Sequence, residues 1–315
     1  MLHFAPIYHE RVWGGRKICD YLNRQLPEGR IGESWELVDR PGEQSQVSQG
    51  PWVGCSLREI IARHSCEVLG PNYPQGRPFP IMVKWLDCEK RLSLQVHPPA
   101  AIASALGGEA KTEFWYIVAA ESQAALLVGL KPDVTREQFQ IALQSKAVEA
   151  LVPRIPVRVG DSLLVKSGCL HAIDAGNLIL EIQQNSDTTY RVYDWDRPGI
   201  DGKPRQLHTT RSLQAIDFGA SGPVIQHSHD EPYEANLAHC PWFRIRKREL
   251  NATNPPLLFC AGEQPRLLHV IWGTLKEDNH NHQLTIGDNV LLCYGNDYSF
   301  RSTEGAAVLI TENFV

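Results

Sequence analysis

Short runs of β-branched, aromatic and aliphatic residues, each closed within a few positions by glycine, proline or an Asx residue, set the strongest limit on what this chain can form. Eight such runs cover residues 34–38, 81–86, 92–96, 114–118, 124–128, 162–165, 178–183 and 190–193. They are too brief for helices, and turn signals separate them, which predicts a sandwich or barrel. Helix signals are few. Ser56-Leu57-Arg58-Glu59 is a capping box followed by apolar Leu57, Ile60, Ile61 and Val68, and Thr135-Arg136-Glu137-Gln138 repeats the signal before Phe139, Ala142 and Leu143. Residues 98–106 form a third, short helix candidate.

Composition narrows the function classes. At 315 residues the chain is long enough for two domains. The formal charge of −5 argues against nucleic-acid partners, which select basic surfaces. No apolar run is long enough to span a membrane, and the N-terminal residues lack the pattern of a signal peptide. The eight cysteines form no C-x-x-C pair and are too sparse for a disulfide scaffold, so a reducing cytoplasm is expected.

One internal repeat stands out. Residues 160–171 and 287–298 share Gly-Asp, a following apolar stretch and a second glycine, Gly168 or Gly295. The pattern reads as turn, strand, turn, strand start, with His171 opening the last strand in the first copy and Tyr298 in the second. Two related β-barrels are expected. The apparent division near 220–240 gives a first domain over 1–235, with short helical segments, and a second over 236–315 without metal ligands.

Side chains alternate between the faces of a strand. In Leu92-Ser93-Leu94-Gln95-Val96-His97 this puts three aliphatic residues on one face and Ser93, Gln95 and His97 on the other. A barrel with a packed outside and a polar lumen follows. The same parity groups Lys111 with Glu113, and Glu181 with Gln183. His97, Glu113 and His171 then arrive from three strands, with Gln95 two residues before the first histidine. Taken singly, the histidines read as hydrogen-bonded barrel or turn residues and Glu113 as a surface carboxylate. Taken together they are a donor set for a divalent cation, either zinc or non-haem Fe(II). Two further clusters, His227/His229/Glu231 and His280/His282, sit in polar stretches without alternation and read as solvated loops.

Asn185-Ser186-Asp187 reads as a turn that would put Glu181 and Arg191 on adjacent strands, as an ion pair or as an acid/base group facing a cation. Lys84 lies inside an apolar run, so a lumen-facing partner or substrate is expected for it. Ser93, Lys84, Arg191 and Arg197 could supply donors to a phosphate dianion. No P-loop, dinucleotide fingerprint or nucleophile elbow is present.

These segments together resemble a known family. Trp13-Gly14-Gly15, Gly32-Glu33-Ser34-Trp35-Glu36, Ser93-Leu94-Gln95-Val96-His97-Pro98, Lys111-Thr112-Glu113-Phe114-Trp115-Tyr116, Gly160-Asp161 through His171, and Gln184-Asn185-Ser186-Asp187 through Arg191 look like the short bacterial form of type I mannose-6-phosphate isomerase, a zinc-dependent cupin. The resemblance is strongest from 80 to 211 and weak after about 220. It implies two cupin-like jelly-roll barrels, the C-terminal one degenerate. It also implies interconversion of mannose 6-phosphate and fructose 6-phosphate, with one zinc per chain on His97, Glu113 and His171 and a further contact from Gln95. It assigns Arg191 to the active site and Lys111, Glu181, Lys84 and Ser93 to the pocket. Arg197 falls where longer relatives carry lysine. The expected route is an enediol, with Glu181 the first choice for carbon proton transfer and Lys111 the alternative. A cupin Fe(II) oxygenase and a non-catalytic sugar-binding cupin are the competing readings. The expected partner is a small sugar phosphate, with neither nucleic acid nor membrane; oligomeric state is left open.

Overall fold

All eight short runs contain strands in the computed structural model, which describes every residue except 221, 228–232 and 280–281. His229, Glu231 and His280 of the two loop clusters lie outside the described residues. Both capping boxes form. Ser56 accepts from the Glu59 N–H and Glu59 accepts from the Ser56 N–H, opening the helix Leu57–Val68; Thr135 and Gln138 do the same for Arg136–Gln144. In 98–106 only Ala100–Ala103 is α-helical. The sequence reading missed the helices Lys17–Leu22 and Thr209–Ala215, whose N-cap residues, Arg16 and His208, make no side-chain cap. It also missed the strand Ile7–Gly15, whose face mixes charged and apolar residues.

The chain divides into two compact units. One comprises Tyr8–Ser34 and Lys84–His227, the other Met1–Ile7, Trp35–Val83 and Ser228–Val315. The first holds a five-stranded sheet in the order Tyr190–Tyr193, Leu94–Val96, His171–Ile173, Ala125–Val128, Arg154–Pro156. It also holds most of a seven-stranded sheet that runs Gln226–His227, Asp161–Val165, Glu113–Ala120, Asn177–Gln184, Ile81–Cys88, Ile31–Leu37, Ile7–Gly15. Leu126, Val128 and Ile173 of the first sheet pack with Trp115, Ile117, Val165 and Ile179 of the second, so the two sheets face each other across a shared interior.

The other face of the five-stranded sheet is covered. Leu94, Val96, Leu127, Ala172 and Val192 pack under Phe139, Val148, Ala215 and Ile216. The helices Arg136–Gln144 and Thr209–Ala215 thus seal the outside of the barrel, and the alternating partners of these aliphatics turn inward. Leu92 departs from the expected row. Regular pairing begins at Leu94, so Leu92 belongs to the interior cluster instead. The expected adjacency of Glu181 and Arg191 is also corrected. Their strands belong to different sheets, because Tyr190–Tyr193 pairs with Leu94–Val96 and not with Asn177–Gln184.

The second unit has its own aliphatic core, including Leu268, Val270, Val290, Val308 and Ile310. Its Gly-Asp turn repeats backbone and carboxylate bonds of that in the first unit. The Gly160 N–H donates to the Ile117 carbonyl and the Gly287 N–H to the Val270 carbonyl, both at 2.9 Å. Asp161 Oδ2 accepts from the Arg158 N–H at 2.9 Å and Asp288 Oδ2 from the Thr285 N–H at 2.6 Å. Gly160 and Gly287 have φ of 91° and 95°, the region that favours glycine. His171 and Tyr298 each open the returning strand. Among the described residues, no helix is long and apolar enough to cross a membrane.

Leu94 is fully buried between sheet and helices. Leu94→Ala should cost about 2–5 kcal/mol, read as a lower denaturation midpoint with an unchanged slope in urea.

Candidate metal centre and its cavity

Cross-strand pairing sets the site. Directly opposed residues share a face of the sheet. Gln95 is opposite Arg191 on one side and His171 on the other, which gives a row Arg191–Gln95–His171 across three strands of the five-stranded sheet. In the facing sheet, Trp115 is opposite Glu181, and Glu113 is opposite Gln183. His97 follows the end of its strand and keeps the inward parity of Gln95.

The structure brings His97, Glu113 and His171 together. One candidate ligand atom from each lies within 4.8 Å of the others, and all three residues are buried. His97 Nε2 is 3.4 Å from Glu113 Oε2, and His171 Nε2 is 3.4 Å from Glu113 Oε1. Each imidazole is held from behind: His97 Nδ1 is 2.7 Å from the Thr188 carbonyl oxygen and His171 Nδ1 is 2.9 Å from that of Cys169. A carbonyl can only accept, so both rings carry their hydrogen on Nδ1 and turn the Nε2 lone pair inward. Such back-bonding is how metal-binding histidines are oriented.

His97 Nε2 and both Glu113 oxygens are buried without a hydrogen-bond partner. Leaving such atoms unsatisfied is costly. One divalent cation bound by both rings and the carboxylate would remove that cost, so the residues fit a metal. Lys111 Nζ forms an ion pair with Glu113 Oε2 at 3.0 Å. Burial alone would raise the Glu113 pKa; the charge of Lys111, the largest opposing cause, holds it well below the usual carboxylate range. Burial pushes the His171 pKa down to about 4 and also lowers that of His97, so both rings are neutral, as ligands must be. Gln95 Nε2 is 3.2 Å from His171 Nε2. Turned about its last bond, the same amide would offer its oxygen there.

A cavity of about 660 Å³ opens beside this cluster, lined by Lys84, Ser93, Gln95, Lys111, Glu181 and Arg191 among others. Glu181 is buried; its Oε1 accepts from Trp115 Nε1 at 3.0 Å, and its Oε2 lies 3.8 Å from Lys84 Nζ. Burial is the main cause of a Glu181 pKa raised to about 7, against the opposing pull of Lys111 and Lys84. Lys111 is also buried, which by itself disfavours its charge, but Glu113 and Glu181 outweigh burial and raise its pKa. Lys84 finds its expected partners in Glu33 at 3.7 Å and Glu181. Arg191 Nη1 donates to the Gln206 carbonyl at 2.9 Å.

Arg197 is placed elsewhere. Its guanidinium bonds Asp194 Oδ1 and the Arg91 carbonyl, and it lines a smaller neighbouring pocket rather than the main cavity. Arg11, Glu33 and Arg205, which the sequence reading did not single out, do line the main cavity. Arg11 comes from the unrecognised strand Ile7–Gly15, and Arg205 from a loop held by Asp194 at 2.6 Å. Glu33 sits in the Gly32–Glu36 motif, which was the available signal for it.

Comparison with known proteins agrees with this geometry. Residues 1–143 match the family model for phosphomannose isomerase type I, catalytic domain. The chain is 34% identical over 303 residues to the mannose-6-phosphate isomerase ManA of Bacillus subtilis, covering 93% of each. It is 40% identical over 217 residues to the probable mannose-6-phosphate isomerase GmuF of the same organism, covering 68% of each. The solved mannose 6-phosphate isomerase from Bacillus subtilis aligns over 99% of both chains with a TM-score of 0.87 at 30% identity.

Glu113 supplies the anionic donor of the His–Glu–His set. Glu113→Gln should lose most of the bound metal in elemental analysis of dialysed protein, while circular dichroism stays that of the parent.

Proposed function

We propose a mechanism on the premise that this chain belongs to the type I mannose-6-phosphate isomerase family and is therefore an aldose–ketose isomerase. The metal is read as zinc, one per chain, held by His97, Glu113 and His171 with Gln95 as a further contact. The observation that carries this reading is the set of unsatisfied buried atoms on His97 and Glu113, which converge beside a cavity that also holds Glu181, Lys111 and Arg191. Zinc in that position would supply Lewis acidity toward the sugar oxygens without redox chemistry. The oxygenase and sugar-binding alternatives give way to the isomerase.

Isomerisation of mannose 6-phosphate to fructose 6-phosphate moves a proton from C2 to C1 and another between the oxygens. Glu181 is assigned the carbon proton. A carboxyl group with a pKa near 7 is close to the optimum for taking a proton and returning it at neutral pH. Lys111 stays cationic between Glu113 and Glu181 and so suits donation to a substrate oxygen. Arg191, in the cavity wall, is assigned to the negative charge that develops on the enediol oxygens or to the phosphate. Ser93 and Lys84 line the same cavity and complete the polar contacts. Arg197 is assigned an indirect part: it shares Asp194 with Arg205, and Arg205 reaches the cavity. Holding the phosphate at one end would align C1 and C2 at the other, which converts binding into orientation.

The reading extends to organisation and location. Within the expected 1–235, the catalytic cupin barrel is assigned to the unit of 8–34 and 84–227, and the second barrel, without metal ligands, to 236–315, whose unit also takes in 1–7 and 35–83; the matched Gly-Asp turns support their kinship. All eight cysteines are free, in keeping with a cytoplasmic enzyme.

Chelation to verified metal-free protein should abolish turnover of mannose 6-phosphate, and zinc should restore it; full activity without metal would defeat the zinc assignment. Arg191→Ala should lower kcat/KM by about two orders of magnitude or more with an unchanged fold, and near-wild-type values would remove its role. Glu181 works as a carboxylate, so kcat should rise as pH increases through about 7 and fall below it. Glu181→Gln should lower kcat by about 10²–10⁴ and erase that acidic limb.

A further inference from the structure

Trp115 lies between the two halves of the proposed machinery without facing the substrate as a reactive group. It is buried in the strand Glu113–Ala120, two residues after a proposed ligand and directly opposite Glu181. Its Nε1–H donates to Glu181 Oε1 at 3.0 Å. Its ring meets His171 edge-on, with centroids 5.4 Å apart and planes at 77°. Leu86, Leu163 and Ile179 are buried in the same apolar cluster. The buried indole commits its single donor to one carboxylate oxygen.

We infer that Trp115 is a positioning residue for the isomerisation: its indole N–H ties down one oxygen of Glu181, so that the other is presented toward Lys84 and the cavity. The inference rests on the assignment of Glu181 as the group that moves the carbon proton. A glutamate has three rotatable side-chain bonds, and proton transfer needs its oxygen within hydrogen-bond reach of carbon in one orientation. The ion pair with Lys84, at 3.8 Å, is too long to fix that orientation alone. The indole bond also favours the charged carboxylate over the acid. Removing it should therefore leave Glu181 both less well aimed and harder to ionise.

The test compares Trp115→Phe with replacement of Trp115 by β-(3-benzothienyl)alanine, which keeps the bicyclic shape and puts sulfur where the N–H was. Both are assayed with mannose 6-phosphate as zinc-loaded full-length protein. The expected result is a fall in kcat of about tenfold or more, little change in KM, metal content equal to wild type, and an acidic limb of the kcat–pH profile moved to higher pH. The isosteric replacement covers the case in which Trp115→Phe does not fold. Adding Trp115→Phe to Glu181→Gln should cause little further loss, since the two act as one unit. Wild-type kcat and pH profile in the isosteric variant would overturn the inference, as would full additivity with Glu181→Gln. If Glu181→Gln itself turned over like wild type, the base assignment would fail first, which separates the two outcomes.

Discussion

Everything at the centre of this protein follows from one buried carboxylate. Glu113 sits fully inside the barrel, and one of two histidine Nε2 atoms faces each of its oxygens at 3.4 Å. A buried charge left in that state is costly. Lys111 offsets part of it as an ion pair. The backbone carbonyls of Thr188 and Cys169 fix the two imidazoles so that they present lone pairs, not hydrogens, to the carboxylate. Lone pairs facing a carboxylate are repulsive unless a cation lies between them.

The barrel makes this arrangement affordable by sorting side chains. One sheet face packs aliphatics under two helices, and the opposite parity of the same strands turns Gln95, His171 and Arg191 into the lumen. The facing sheet contributes Glu113, Trp115 and Glu181 by the same alternation. Because much of the remaining interior is apolar, charges inside it are strongly felt. The one lumen raises the Glu181 pKa, where burial dominates, and depresses that of Glu113, where the charge of Lys111 dominates. Two carboxylates with opposite shifts are suited to different work.

The second unit shows what the same turn-and-strand unit looks like without such a demand. Its buried His269 has both ring nitrogens engaged, Nδ1 with Asn289 Oδ1 at 2.7 Å and Nε2 with Thr311 Oγ1 at 2.9 Å. Tyr298, at the position that corresponds to His171, bonds the Cys293 N–H through its hydroxyl at 3.0 Å. These polar groups are satisfied by the protein itself, whereas His97 Nε2 is not.

The sequence by itself determined the strands of the eight runs up to residue 193, the two capped helices, the inward parity of Ser93, Gln95 and His97, and the Gly-Asp turns, because each of these is a local preference of backbone or period that a few adjacent residues decide. It also brought forward His97, Glu113 and His171 as one set, since each could be placed by its own strand. Only the tertiary structure decided which strands are neighbours. It put Glu181 and Arg191 in different sheets, gave Glu181 to Trp115 and Lys84, turned Arg197 toward Asp194, and brought Arg11 and Arg205 to the cavity. Pairing between distant segments, the burial that shifts a pKa and the uncapped helices depend on what packs against a residue from far along the chain. No window of sequence around that residue contains this information.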